Sequence, residues 1–493
     1  MPEPHSDTFE IRDMLVTALR RTLPANAVLT GEEDLRPYEC DGLSAYHRLP
    51  LIVVLPETIQ QVQDVLQLCH HHEVPVVARG AGTGLSGGAL PIEDGVLLSL
   101  AKFNRILEID PLNRTARVEP GVRNLAISEA VAAHGLFYAP DPSSQIACTI
   151  GGNVAENSGG VHCLKYGLTV HNVLQVKLLT IEGETLILGG SGLDAPGYDL
   201  LALMNGSEGM LGVITEITVR LLPRPQQTRV IMAAFDDIAQ AGEAVGAIIA
   251  AGIIPAGLEM MDNPAIRAAE AFVHAGYPEK AAAILLCELD GTVEEVNEQA
   301  EQVEMLLRTA GATTLRVAHN TDEQLLLWKG RKAAFPAVGR LSPDYYCMDG
   351  TIPRKRLPQV LTRISEMSEE YGLAVANVFH AGDGNLHPLI MYDANQPGEL
   401  ERTEEFGSKI LELCVEVGGT ITGEHGVGIE KINQMCVQFK PVELEYFHAI
   451  KASFDPQGLL NPGKAVPTLH RCAEFGAMHV HHGQLPHPEL ERF

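Results

Sequence analysis

Three short stretches in the second half of the chain hold residues able to bind a metal ion and move a proton. They are Val375-Ala-Asn-Val-Phe-His380, Leu386-His-Pro-Leu-Ile-Met-Tyr392 and Thr420-Ile-Thr-Gly-Glu-His-Gly-Val-Gly428. The first two read as strands, and Asp383-Gly384 between them reads as a two-residue hairpin turn. That turn sets His380 opposite His387 on one face, with Cβ atoms about 4.5–5.5 Å apart. Two imidazoles at that span suit one divalent ion bound at about 2.0–2.1 Å, and they equally suit a metal-free polar pair. The third stretch reads as a strand ending in Glu424-His425. A carboxylate from Glu424 would complete a two-histidine, one-carboxylate set with positions left open for substrate oxygens, whereas a surface Glu and a helix-capping His are the plainer readings. Upstream, Trp328-Lys-Gly-Arg-Lys-Ala-Ala-Phe335 reads as a helix offering Arg331 and Lys332. A guanidinium fork matches a carboxylate in two places at once, and a solvated cationic face is the alternative. Tyr345 or Tyr346 would add an aromatic wall.

The elements that must position these groups follow from hydrophobic spacing. Residues 8–23 and 57–73 carry helical periodicity, and short β-like runs fall at 51–55, 74–78, 95–100, 106–110, 116–119, 173–180 and 213–222. This β-α-β start indicates an α/β arrangement. Leu222-Pro-Arg-Pro-Gln226 is the best boundary, and beyond it helices such as 294–309 and 357–371 alternate with strands such as 282–289. His70-His-His72 reads as a solvated helix end favoured by the dipole.

Glycine concentrates at three places in the first half. Arg79-Gly-Ala-Gly-Thr-Gly-Leu-Ser-Gly-Gly88 follows a strand, and its backbone can make an anion-binding nest. It contains G-x-G-x-x-G, yet the following Ala89-Leu-Pro-Ile-Glu-Asp-Gly95 is not helical, which excludes a dinucleotide fingerprint of the Rossmann type. No Gly-Lys-Ser/Thr follows either, which excludes a P-loop. The second place is Pro140-Asp-Pro-Ser-Ser144 with Thr149-Ile-Gly-Gly-Asn-Val-Ala-Glu-Asn-Ser-Gly-Gly160, and the third is Gly206-Ser-Glu-Gly-Met-Leu-Gly-Val-Ile-Thr215. Three such walls can enclose a long, flat, diphosphate-bearing ligand.

Together these motifs resemble the FAD-linked oxidases of the vanillyl-alcohol oxidase and p-cresol methylhydroxylase (PCMH) fold. Within them the chain is similar to the FAD-linked D subunits of glycolate oxidases, from about Leu51 to Lys464 and through the tail His470-Arg-Cys-Ala-Glu-Phe-Gly-Ala-Met-His-Val-His-His-Gly483. The resemblance implies an α+β fold, with a two-part FAD-binding domain at 51–225 after a helical lead-in at 1–50. An α/β substrate or cap domain at 226–440 would follow, then a segment at 441–466 returning to the flavin and a His-rich tail at 467–493. It implies non-covalent FAD, since the first loop has no histidine to attach it. The cofactor would be held by Arg79, Gly80, Ala81, Gly82, Thr83, Gly84 and Ser86, by Pro140, Ser144, Gly151, Gly152 and Asn153, and by Gly209, Val213 and Ile214. Asn461, with Lys464 beside it, would sit near the ring. It further implies His380, His387 and Glu424 as ligands of zinc or manganese, His425 as general base and Arg331 as the substrate-carboxylate clamp. The implied reaction is oxidation of glycolate to glyoxylate, with hydride passing to flavin N5. A stand-alone D-lactate or D-2-hydroxyglutarate dehydrogenase is the alternative within that chemistry, and a non-catalytic FAD scaffold subunit the alternative outside it.

Composition bounds the partners. Of 493 residues, 36 are Lys or Arg and 63 Asp or Glu, a formal net charge of −27. That field opposes nucleic acid and anionic membrane surfaces but leaves room for a locally cationic pocket. Nine scattered cysteines match neither a disulfide framework nor an iron–sulfur motif and read as free thiols in a reducing cytoplasm. Electrons from a reduced flavin must therefore leave through another protein. The resemblance implies a second FAD-binding subunit and an iron–sulfur subunit, with any membrane contact peripheral and made through them.

Overall fold

The computed structural model describes residues 6–192 and 196–468. The His-rich tail beyond Thr468, read as either docking to partners or a free end, lies outside them. The lead-in helix Ser6–Thr22 turns Leu15 and Leu19 inward. It packs beside a four-stranded sheet in the order Val28–Leu29, Ile52–Val54, Val96–Ser99, Val76–Arg79, whose last three strands are parallel. Helix Ile59–His71 makes the crossover, capped by Thr58 accepting from Gln61 N–H and burying Val62, Val65, Leu66 and Cys69. A second, antiparallel sheet follows in the order Ile106–Asp110, Thr115–Val118, Val213–Arg220, Val173–Leu179, Thr185–Gly189.

Between Pro223 and Gln227 the chain enters a seven-stranded sheet. Its order is Thr314–Val317, Gln227–Phe235, Ala283–Gly291, Gly257–Asp262, Val375–His380, Asn385–Tyr392, Asp344–Cys347. Every ladder in it is antiparallel. The alternation of helix and strand read from sequence is therefore not a parallel α/β crossover pattern. Helices cover both faces instead. Ile231, Ala233 and Phe235 meet helices Ile238–Ala250, Val293–Thr309, Leu357–Tyr371 and Glu399–Glu416. Val230, Met232 and Ala234 meet helices Asn263–Val273, Thr321–Lys332 and Ala334–Val338. Burial of both faces explains why these strands read as continuous apolar runs.

After helix Pro441–Phe454 the chain returns to the first sheet. Leu460 makes a parallel bridge to Val76, and Asn461 N–H donates to the Val76 carbonyl at 2.8 Å. Seven cysteines are free thiols, whereas Cys436 is disulfide-bonded, which corrects the expectation of free thiols throughout. Among the described residues no helix is long and apolar enough to cross a membrane.

Candidate active site

Strand Val76–Arg79 delivers the first glycine loop, and the next regular element is strand Val96–Ser99, not a helix. Arg79 turns back from the loop, donating from Nη1 to the carbonyls of Cys40 (2.6 Å) and Tyr38 (3.3 Å). Gly80 is required by close approach, since a Cβ there would lie 2.2 Å from Thr149 Oγ1; Gly82 is required by its φ of +69°. Thr149 and helix Ile150–Glu156 form the second wall, and Ser207–Gly209, Gly212 and Ile214 the third, around a cavity of about 420 Å³. Thr149 Oγ1 is buried without a hydrogen-bond partner on this wall, and glycine backbone lines the cavity on all three walls, features that suit a large polar cofactor.

Arg79, Gly80, Ala81, Gly82, Thr83, Gly84, Ser144, Gly151, Gly152, Asn153, Gly209 and Ile214 line this cavity. Four other expected contacts stand behind it. Ser86 accepts from Ile429 and Glu430 N–H through its carbonyl. The Pro140 carbonyl accepts from Asn124 Nδ2, and Asn124 Oδ1 accepts in turn from Asn153. Val213 is a core residue paired with Leu179. Asn461 donates from Nδ2 to the carbonyls of Gly88 (2.9 Å) and Glu208 (2.6 Å), and Lys464 Nζ bonds Gly88 O and Asn461 Oδ1. These four shape the walls from outside.

The same cavity ends at Lys332, Phe335, His387, Glu424 and His425. The hairpin carrying the histidines is not built on a two-residue turn. Its register pairs Val378 with His387 and His380 with Asn385. The loop spans Ala381–Gly384: the His380 carbonyl accepts from Gly384 N–H, and Asp383 Oδ1 accepts from Asn385 N–H. This displaces the pairing by two residues, an even step that leaves both imidazoles on one face as diagonal neighbours. Their ring centroids are 5.0 Å apart.

Glu424 completes the group. Its Oε1 lies 3.2 Å from His380 Nε2 and 2.8 Å from His387 Nε2, and one donor atom from each of the three lies within 4.8 Å of the others. Burial opposes the Glu424 charge, yet hydrogen bonds from the two histidines hold its carboxyl well below the usual range. The donor set has the composition and convergence of a divalent-cation site. Thr420–Gly428 is not a strand, however. Buried Asp349 withdraws its amides, accepting from Gly423 (3.0 Å), Glu424 (3.2 Å) and His425 (2.8 Å), while Glu208 takes those of Val427 and Gly428 at 2.7 Å each. Held this way, His425 stacks on His387 at 5.1 Å with the rings 3° from parallel. Burial pushes the His425 pKa down to about 4, against the pull of Asp349, so the ring is neutral at pH 7.

Arg331 does not reach the cavity. It is 2% exposed and paired with buried Glu259 at 2.6 Å, and Glu259 also meets His380 Nδ1 at 2.7 Å. The cation on the wall is its neighbour Lys332. Tyr345 and Tyr346 do not line the cavity either; Phe335 does, with Tyr345 against its outer side at 6.3 Å. Glu259, Asp349, Glu208 and Phe335 were not singled out by sequence, nor was His162. That histidine links Asp141 (2.9 Å), inside the Pro-Asp-Pro wall, to Glu288 (3.2 Å) on the cap sheet. Adjacent glycines and acids hinted at Glu208 alone.

Comparison with known proteins places this geometry in a family. Residues 50–189 match the profile described as FAD binding domain, and 224–465 match FAD linked oxidases, C-terminal domain. The glycolate oxidase subunit GlcD of Escherichia coli K12 is 66% identical over 98% of this chain and 97% of its own. This chain belongs to the FAD-linked oxidase family. Within that family, the D-lactate dehydrogenase of Archaeoglobus fulgidus is 34% identical, covering 85% of this oxidase and 92% of itself. The fold of the FAD-linked oxidase also matches p-cresol methylhydroxylase with substrate bound, at a TM-score of 0.79 and 19% identity, over 95% of this chain and 98% of that one. The oxidase is thus a flavin-dependent oxidoreductase of the PCMH fold.

Proposed function

We propose that this chain oxidises glycolate to glyoxylate as the FAD-carrying subunit of a multi-subunit glycolate oxidase. The observation that supports it is the continuity of one cavity from the glycine walls to His387, Glu424 and His425. Bound FAD supplies the hydride acceptor and a divalent ion, zinc or manganese, a Lewis acid for the substrate hydroxyl. The chain's own groups do the rest. His380, His387 and Glu424 would hold the ion, with Glu259 orienting His380. His425, unprotonated at neutral pH, accepts the hydroxyl proton on a ring nitrogen facing the cavity. Lys332 pairs with the substrate carboxylate in place of Arg331, and Phe335 keeps water from the reacting carbon. The near relative's name as a subunit supports an assembly with partner subunits, to which the electrons would pass.

A substrate panel of glycolate, D-lactate and D-2-hydroxyglutarate, run on the FAD-loaded chain with and without chelator, tests this. Glycolate should give the highest kcat/KM, and activity should vanish on chelation and return with zinc or manganese. Preference for D-lactate, the reading favoured by the Archaeoglobus relative, would displace glycolate; chelator-resistant turnover would remove the ion.

A further inference from the structure

A second group of donors converges on the other edge of the His387 ring. Cys347 ends strand Asp344–Cys347 opposite Leu389, so its side chain and His387 are diagonal neighbours on one sheet face. The loop tied to Asp349 lays His425 flat on His387 from the other side. The Cys347 thiol and a ring nitrogen of each histidine lie within 4.8 Å of one another. His387 commits Nε2 to Glu424, while the Nδ1 atoms of both His387 and His425 are buried without hydrogen-bond partners. Cys347 makes only a long thiol contact of 3.5 Å to the Met348 carbonyl. Buried polar atoms left unpaired in a native fold call for an explanation, and a bound ion is one that fits these donor types.

We propose that Cys347, His387 and His425 form a second metal-binding set, selective for strongly thiophilic ions such as cadmium or monovalent copper. One thiolate and two imidazoles supply three of the four donors of a tetrahedral site, and the sulfur separates the set from the harder one containing Glu424. On binding, the Cys347 S–H bond breaks, a sulfur–metal bond forms and the proton passes to solvent, while His387 ligates through Nδ1 and keeps its proton on Nε2 against Glu424, so this set fills in place of the harder one. The parallel rings require His425 to turn about its Cβ–Cγ bond so that its lone pair meets the ion. Ligation stands on this geometry alone. Its consequence, inhibition, rests on the proposed function, because an ion there takes His387 from the set that would activate the substrate and fixes the His425 ring in place.

The FAD-loaded chain titrated with Co²⁺ and with Cd²⁺ tests the set, with thiolate-to-metal charge transfer and glycolate turnover as readouts. Wild type should develop a charge-transfer band and lose activity together. Cys347→Ser, and independently Cys347→Ala, should turn over glycolate as wild type does, lack the band, and resist cadmium by about tenfold or more. His380→Ala, which breaks only the harder set, should keep the band. No band in wild type, a band and sensitivity surviving in both Cys347 variants, or a band lost in His380→Ala would each overturn the proposal. Absence of turnover with any 2-hydroxy acid would count against the proposed function and leave the spectra to decide this set.

Discussion

Glu259 stands directly across the strand pair from His380 and divides its carboxylate between two partners, His380 Nδ1 at 2.7 Å and Arg331 at 2.6 Å. Burial opposes its charge, and these cations nonetheless hold its carboxyl below the usual range. The arrangement fixes the imidazole so that Nε2 points at Glu424, the usual way a carboxylate orients a metal-binding histidine.

Glu259→Gln therefore carries two costs. It strands the Arg331 charge in the interior, which should lower stability by about 3 kcal/mol, and it releases His380, which should weaken divalent-ion binding by about 10- to 100-fold. Thermal unfolding and elemental analysis of dialysed protein read them separately. An unchanged midpoint with full metal content would mean that the pair is ornamental.

Arg331 and Lys332 should part company in kinetics. Losing a charge-assisted contact to the substrate costs about 1.5–3 kcal/mol, so Lys332→Ala should raise KM for glycolate by roughly tenfold or more, with little change in melting temperature. Arg331→Ala should instead lower the melting temperature sharply. The reverse pattern would return the clamp to Arg331.

Asp349→Asn tests the loop anchor. The side chain collects three amides and the Thr422 hydroxyl, and asparagine can accept at one atom only. A loss of about 2 kcal/mol in stability is expected, along with faster hydrogen exchange at Gly423–His425. Exchange protection equal to wild type would place the hold on the loop elsewhere.

A pH effect follows from Asp262, whose burial pushes its pKa up to about 6 from 3.8 despite hydrogen bonds from Ala265 N–H and Asn377 Nδ2. Below pH 4 both folded and unfolded chains carry its proton. As pH rises through 4 to 6 the unfolded chain ionises first, so stability falls by about 3 kcal/mol and then levels off. Asp262→Asn should flatten that part of the stability–pH curve. Denaturant midpoints measured from pH 4 to 8 in both proteins provide the comparison, and parallel curves would discard the assignment.

Local signals carried much of this architecture. The glycine walls were readable because close backbone approach leaves its mark residue by residue, and helix 357–371 and strand 375–380 appear at the bounds their periodicity gives. The histidine pair was legible in face but not in register, because Asp383 holds a four-residue loop that the Asp-Gly dipeptide alone does not announce. Arg331 lies away from the cavity because the carboxylate that neutralises it, Glu259, sits on a strand far away in sequence. Thr420–Gly428 looked like a strand until Asp349 and Glu208, both remote, claimed its amides. Each difference is one of long-range pairing, where a side chain's partner is set by topology.

The C-terminal segment brings a last consequence, for how the protein is made. Asn461 and Lys464 pin the Gly88 carbonyl across 373 and 376 residues of sequence, and Ala465 bonds to Gly428. On the ribosome, the first glycine wall emerges 373 residues or more before the segment that braces it. The walls can take their final form only once that segment has been made, so flavin loading is expected to follow it rather than the first emergence of the walls.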